Sequence, residues 1–295
     1  MLQEIDFKHI WHPFTQTKDW FADDQLIIDR GEGFNLIDVE GRSYLDGVSS
    51  IWCNVHGHGV PELTQALHTQ VDKLCHSTLL GLSHRPIIEL SEKLLKIVPK
   101  NLNRAFYADS GSNAVEAGLR MAMEYQQKSG DKKRTKLVSL IGAYHGDTIG
   151  SVNVGYIREF HHHLDPVIVS SLRVSPPYYL ERYKDIAKEA ALEIAIKEVE
   201  DLFAKEGENI AAFIIEPLVQ GAAGIWVHDK EYLIAVDRIC KEHGAFLICD
   251  EVATGFGKTG ALFASELAGI EPDIMIVGKG LSAGYLPISA AITTE

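Results

Sequence analysis

Ala245-Phe246-Leu247-Ile248-Cys249-Asp250-Glu251 runs five apolar residues directly into two carboxylates. An apolar run of this length, entered through Gly244, reads as a strand buried on both faces, the kind found in parallel sheets. The segment before it carries Leu233, Val236 and Cys240 on one helical stripe, with Asp229 placed to cap its start and Gly244 to close its end. The same alternation recurs upstream. Residues 104–108 form a short strand entering Ser110-Gly111-Ser112, and the helix after it turns Val115, Leu119, Ala122 and Met123 inward. Residues 136–141 read as a strand ending at Gly142, and 211–215 and 274–277 as further apolar strands. The clearest helix spans 188–206, where Leu192, Ala195, Ile196, Val199, Leu202 and Phe203 recur at helical spacing. Apolar strands alternating with amphipathic helices predict an α/β fold, a mostly parallel sheet covered by helices on both sides.

The N-terminal part follows a different period. From Leu26 to Leu45 apolar and polar residues alternate around Gly31-Glu32-Gly33 and Glu40-Gly41-Arg42, which predicts a small antiparallel meander. Helices follow: Leu63, Leu67, Val71 and Leu74 share a stripe behind Pro61, and Ile87, Leu90, Leu94 and Val98 share another that stops before Pro99. We therefore expect an N-terminal segment over 1–55 and a large α/β domain over 56–295.

The chain of 295 residues has 28 basic and 41 acidic side chains, a formal charge of −13. That balance repels phosphate backbones and argues against a nucleic-acid partner. No apolar run approaches the roughly 18 residues that span a bilayer, so no membrane association is expected. The opening Met1-Leu2-Gln3-Glu4-Ile5-Asp6 has no apolar core of a signal peptide, which makes the cytoplasm the expected compartment. Cys53, Cys75, Cys240 and Cys249 form no C-x-x-C pair and read as buried thiols. His161-His162-His163 lacks partner ligands at metal-binding spacing and reads as a polar surface turn, so no metal is expected.

In open α/β sheets ligands collect beyond the carboxyl ends of the strands. Here those ends carry Ser110-Gly111-Ser112, Tyr144-His145-Gly146-Asp147, Glu216-Pro217, Asp250-Glu251 and Gly278-Lys279. The glycine turn before a helix suits an anion, although a capped helix without ligand gives the same pattern. It lacks the Lys-Ser/Thr ending of a nucleotide-triphosphate loop. Asp250 at a buried strand end needs a cationic partner, either an arginine or a protonated pyridine nitrogen. Lys279 between two glycines is a surface charge or a Schiff-base nucleophile. Tyr144 offers a ring face, with Gly142 and Gly146 clearing space around it. A phosphate turn, a stacking aromatic, a strand-end acid and a strand-end lysine, in that order, are the parts that hold pyridoxal 5'-phosphate. A nicotinamide enzyme is disfavoured because no G-x-G-x-x-G follows an early strand.

Ser110-Gly111-Ser112-Asn113-Ala114-Val115-Glu116, Tyr144-His145-Gly146-Asp147-Thr148, Asp250-Glu251-Val252-Ala253-Thr254-Gly255-Phe256-Gly257 and Gly278-Lys279-Gly280 resemble the class III, fold-type-I aminotransferases over the whole chain. His9-Ile10-Trp11-His12-Pro13-Phe14-Thr15 and Ser49-Ser50-Ile51-Trp52 resemble the biotin-synthesis branch, which converts 8-amino-7-oxononanoate into 7,8-diaminononanoate. The resemblance implies pyridoxal phosphate bound as a Schiff base to Lys279, with Asp250 on the pyridine nitrogen and Gly111 and Ser112 on the phosphate. It implies Tyr144 and Val252 on the two ring faces, Glu216 and His145 as polar supports, and Trp52 in the substrate pocket. It also implies a homodimer and a C-terminal domain beyond Glu295, supplied by a missing portion of the chain or a second polypeptide. Phe14 and Ile51 stand where branch members using S-adenosylmethionine as amino donor have Tyr and Trp, and both match members using lysine. Lys258 stands where the family has Arg. By the resemblance these three residues lie in the donor pocket, where an aliphatic wall at Ile51 favours lysine over S-adenosylmethionine. Two other readings are an ω-aminotransferase of the ornithine or 4-aminobutyrate type, and a cofactor-binding fragment without activity.

Overall fold

The computed structural model describes residues 1–22, 25–169, 171–178 and 183–295. They form two compact units, Met1–His76 and Ser77–Glu295. The division falls later than residue 55, and the helix Pro61–Val71 groups with the first unit.

In the first unit, β1 (Ile28–Glu32), β2 (Asn35–Asp38) and β3 (Ser43–Leu45) form the expected antiparallel meander. Gly33 and Gly41 take positive φ in its turns. Asp38 pins the second turn. It is buried and accepts hydrogen bonds from the Glu40 and Arg42 backbone N–H groups at 3.0 and 2.8 Å, from Arg42 Nε at 2.6 Å and from the Tyr44 hydroxyl at 3.0 Å. Burial alone would raise its pKa, but these donors outweigh it and hold the carboxyl at about 2. The stripe on Pro61–Val71 is not buried within this unit: Leu63 and Leu67 are half-buried, Val71 and Leu74 exposed. Cys75 is exposed for the same reason and Cys53 is half-buried, so the expectation of four buried thiols is met only by Cys240 and Cys249.

The second unit is built on β4 (Arg104–Ala108), β5 (Lys136–Leu140), β6 (Leu172–Val174), β7 (Ile210–Ile215), a small hairpin of β8 (Val219–Gln220) and β9 (Trp226–Val227), β10 (Phe246–Asp250), β11 (Ile274–Val277) and β12 (Ser289–Thr293). Seven of these make one sheet in the order β4-β12-β11-β10-β7-β5-β6. β12 runs antiparallel to both its neighbours, and the other six strands share one direction. The sheet is thus mostly parallel, as the alternation of elements predicts. Alternate residues of each central strand feed opposite layers. Phe213, Ile215, Leu247 and Cys249 pack under the helices Lys188–Glu206 and Lys230–His243, against Ala195, Val199, Phe203, Leu233 and Val236. Ala212, Ile214, Ile248 and Ile276 face the helix Gly111–Lys128 through Ala114, Val115, Leu119 and Ala122. Every residue of β7 and β11 is buried, which is why their sequences are apolar without alternation. Gly244 closes the helix Lys230–His243 in the left-handed conformation as expected, whereas Asp229 bonds Lys188 Nζ at 2.5 Å and makes no cap bond. Among the described residues, no helix is long and apolar enough to cross a membrane.

Arg134 ties the edge of the sheet opposite the strand ends. Its side chain is 13% exposed, and it donates to the carbonyls of Gly207, Ile210 and His243 at 3.1, 2.8 and 2.7 Å and to Asp131 at 2.8 Å. Arg134→Met strands three acceptors and should cost about 2–4 kcal/mol. Urea unfolding would show this as a lower midpoint at unchanged slope, and an unchanged midpoint would show that water replaces the guanidinium.

Candidate active site

The site is built on the carboxyl edge of the parallel strands. After β4, Ser110 adopts an extended conformation and caps the helix Gly111–Lys128, its Oγ accepting the Asn113 N–H at 3.3 Å. The first helical bond runs from Ala114 N to Ser110 O at 3.0 Å. The N–H groups of Gly111 and Ser112 therefore have no acceptor within the helix, at the positive end of an 18-residue dipole. Ser289 on β12 donates its hydroxyl to Ser110 O at 2.6 Å and anchors this turn. Val252 lies between the turn and the end of β11. A Cβ at Gly111 would stand 3.0 Å from its Cγ1, and one at Gly278 3.4 Å from the same methyl.

The loop after β5 carries Tyr144 to Asp147. Gly146 has φ of 118°, and a Cβ there would lie 2.0 Å from Ser112 Oγ, so the loop can meet the helix terminus only with glycine at this position. Asp147 N–H donates to Ser112 Oγ at 3.2 Å. The Tyr144 hydroxyl donates to Asp147 Oδ2 at 2.6 Å, and its backbone N–H to Glu216 Oε2 at 3.1 Å. Burial, then the bond to Asp147, pushes the Tyr144 phenol up. Glu216 follows β7 and is buried, and its Oε1 accepts the Gly221 N–H at 3.0 Å. Burial pushes its pKa up to about 7.

Asp250 closes β10. Its partner is an imidazole: His145 Nδ1 lies 2.7 Å from Asp250 Oδ2, with the two side chains 0% and 5% exposed. Asp250 Oδ1 accepts the Val252 N–H at 3.0 Å. The other ring nitrogen of His145, Nε2, is buried and has no hydrogen-bond partner among the described residues. Asp250 is in register with Ile276 on β11, so Lys279, three residues further on, emerges at the same edge. Lys279 is half-buried, has φ of 41° and opens the short turn Lys279–Leu281. A Cβ at Gly280 would meet Phe256 Cβ at 2.9 Å, which fixes glycine behind the lysine. The neighbouring Glu251 turns away, accepting from Thr254 Oγ1 at 2.5 Å and from the Ala264 and Ser265 N–H groups at 3.0 and 2.8 Å.

Gly111, Ser112, Tyr144, His145, Glu216, Asp250, Val252 and Lys279 thus all follow strand ends on one edge of the second unit. Lys258 is exposed in the loop beyond Val252. Phe14, Ile51 and Trp52 belong to the first unit. Ser49, Ser50, Ile51 and Trp52 have φ of 51, 48, 60 and 66°, a single left-handed turn, and Phe14 is also left-handed at 50°. Such backbone costs about 1–2 kcal/mol per residue, and no sequence signal announces it.

His161 is not part of a polar surface turn: it is buried, its Nδ1 accepts the Ile157 N–H at 3.0 Å and its Nε2 meets Asp147 Oδ1 at 3.1 Å. The turn that begins at Arg158 folds the first histidine inward and leaves His162 and His163 outside. Among the described residues, no cluster of three His, Cys, Asp or Glu could hold a metal ion.

The family described as aminotransferase class-III matches residues 20–295. The adenosylmethionine-8-amino-7-oxononanoate aminotransferase of Nitratidesulfovibrio vulgaris is 45% identical over 296 residues, covering 100% of this chain and 55% of that protein. The crystal structure of the enzyme of that name from Methanocaldococcus jannaschii superposes with a TM-score of 0.91 at 42% identity, covering 99% of this chain and 65% of that one. An amine transaminase from an uncultivated Pseudomonas species, in its PLP-bound form, gives 0.92 at 33% identity, covering 97% of this chain and 65% of that one. The chain therefore spans between about half and two thirds of the length of the proteins it matches.

Glu216 gives the site a pH signature. A carboxyl raised from 4.5 to about 7 is most favourable when protonated. Its contribution to stability is fully present below about pH 4.5 and is lost as pH rises to about 7, a change of about 3 kcal/mol. Glu216→Gln should remove that slope. Denaturant unfolding of both proteins at about pH 5 and about pH 8 measures it, and parallel pH dependence would show that Glu216 is ionised throughout.

Proposed function

This chain belongs to the class III aminotransferases, and from that premise we propose that its site binds pyridoxal 5'-phosphate and transfers an amino group to 8-amino-7-oxononanoate, giving 7,8-diaminononanoate for biotin synthesis. The observation that carries the reading is the buried Asp250–His145 pair at 2.7 Å, set on one sheet edge with a helix N-terminus and Lys279. The 45% identity to a relative named for this reaction, against 33% to the amine transaminase, supports the substrate over that of other ω-aminotransferases. The donor is S-adenosylmethionine, which the relatives' name carries, or lysine, which suits Phe14 and Ile51. The working form we propose is a cytoplasmic homodimer. The length of the relatives that this chain does not match would come from a C-terminal portion or a second polypeptide.

The residues fit the cofactor. The Gly111 and Ser112 N–H groups suit a phosphate at a helix terminus. The glycines at 111 and 278 leave the Val252 methyls bare on the site side, where any side chain would cover them. Tyr144 and Val252 would flank the ring, Asp250 would take its nitrogen, and Lys279 would supply the amine. When bound, pyridoxal phosphate supplies an aldehyde that captures amines and a pyridinium that draws off an electron pair. Asp250 keeps a proton on that nitrogen, because a buried carboxylate there is worth most when it faces a positive charge. His145 orients Asp250 and shields it from water. Glu216 holds the Tyr144 backbone, and so the ring, at a fixed height above the sheet. Lys279 Nζ moves the proton at the amine-bearing carbon of the substrate.

Two variants test the reading. Purified protein mixed with pyridoxal phosphate should turn yellow, and borohydride should then fix the cofactor's mass on the peptide containing Lys279. Lys279→Ala should lose both the label and the transfer, and labelling elsewhere would overturn the assignment. Decay of the colour with lysine or with S-adenosylmethionine identifies the donor. Asp250→Asn keeps the shape and loses the charge, so the rate should fall by about 10²–10³. A near-normal rate would make Asp250 a purely structural acid.

A further inference from the structure

His161 is a buried imidazole that the reaction described above does not use. Its side chain is 3% exposed, and it packs among the rings of Tyr144, Tyr156 and Phe160 at centroid distances of 6.2, 6.0 and 6.0 Å. The Tyr144 and His161 rings lie within 11° of parallel. Tyr156 is itself held by Asp165 at 2.8 Å and by Arg173 over its ring at 5.0 Å.

The hydrogen bonds of His161 are ordered. Nδ1 accepts the Ile157 N–H at 3.0 Å. A ring nitrogen that accepts an N–H carries no proton, so the neutral ring must carry its proton on Nε2. Nε2 lies 3.1 Å from Asp147 Oδ1 and therefore donates to it. A backbone bond in the turn at 157–161 thus selects the tautomer that grips the carboxylate. The other oxygen of Asp147 takes the Tyr144 hydroxyl at 2.6 Å, and its N–H donates to Ser112 at 3.2 Å. Asp147 is 47% exposed. Without the imidazole its carboxylate would keep, among the described residues, only the flexible phenol as a side-chain partner and could turn to water.

We propose that His161 is a positioning residue: it fixes Asp147 and, through Asp147, the hydroxyl and ring of Tyr144. The proposal deepens the reading of Tyr144 as one flank of the cofactor's ring and rests on it for its effect on turnover. Sequence separation hides the relay, since the three residues come from the loop after β5 and from a turn beyond the helix Ile149–Val154.

Two substitutions separate positioning from local folding. In His161→Asn the amide oxygen falls near the place of Nδ1, so the Ile157 bond is kept and the donation to Asp147 is lost. In His161→Gln the amide nitrogen reaches the place of Nε2, so donation is kept and the Ile157 bond is lost. We expect kcat/KM to fall by about tenfold or more in His161→Asn and by less than about threefold in His161→Gln. The second readout needs no cofactor. In the purified chain labelled with carbon-13 tyrosine, the Tyr144 resonance, assigned by its absence in Tyr144→Phe, should ionise at lower pH in His161→Asn, because its phenolate no longer faces a fixed carboxylate. In His161→Gln it should stay in place. A Tyr144 titration unchanged in His161→Asn, or rescue by Asn rather than Gln, would overturn the proposal. A shifted titration in a protein that transfers no amino group would uphold the positioning and discard the functional reading.

Discussion

A carboxylate buried at the end of a strand needs a compensating partner, and the contact between Asp250 and His145 supplies it. Most of the second unit is arranged to make that contact. β10 must be buried on both faces to carry Asp250 into the interior, and the loop after β5 must bend back across β7 to bring His145 to it. The helix Ile149–Val154 ends so close to the His145 backbone that a Cβ at Gly155 would stand 2.3 Å from its amide nitrogen. A second acid, Glu216, shares the same edge. Burial, more than the neighbouring Asp250 carboxylate, raises its pKa to about 7 while it holds two backbone N–H groups. The edge therefore sets, beside the Asp250–His145 pair, an acid whose charge depends on pH.

Much of this was legible from local pattern. The apolar runs at 211–215 and 274–277 and the stripes at 188–206 and 230–243 each bury their own surface, so the pattern that marks them is the pattern that folds them. Placing chemistry at the strand ends then brought Gly111, Ser112, Tyr144, Glu216, Asp250 and Lys279 together, because a parallel sheet puts all such ends on one edge. What stayed hidden depends on distant partners. The arginine considered for Asp250 is a histidine 105 positions away. β12, Ser-Ala-Ala-Ile-Thr, has small side chains and no period of its own, and only its place between β4 and β11 makes it a strand. His161 looks the same as His162 and His163 until a turn folds it inward.

Some of the left-handed, non-glycine backbone coincides with proposed chemistry. Lys279 is left-handed between two glycines, and the four residues from Ser49 to Trp52 form a left-handed turn that includes the donor-pocket candidate Ile51 and the substrate-pocket candidate Trp52. Such conformations persist only where the surroundings over-determine them. For Lys279 the surroundings are visible: Gly280 presses on Phe256, and β11 is buried along its whole length. A lysine on relaxed backbone would have many more orientations than one launched from a constrained turn.

β4 has one neighbour in the sheet, and that neighbour is β12, with Ala108 opposite Ser289 and Arg104 opposite Thr293. A ribosome delivers β4 early and β12 late. At about 5–20 residues per second, the roughly 180 residues between them take about 10–40 s to make. Throughout that interval the turn at Ser110 lacks the serine that anchors it, and β4 offers a full row of unpaired backbone groups to any other strand in reach. The hazard for this fold lies in its birth: the first strand of the cofactor edge must be sheltered until β12 has left the tunnel.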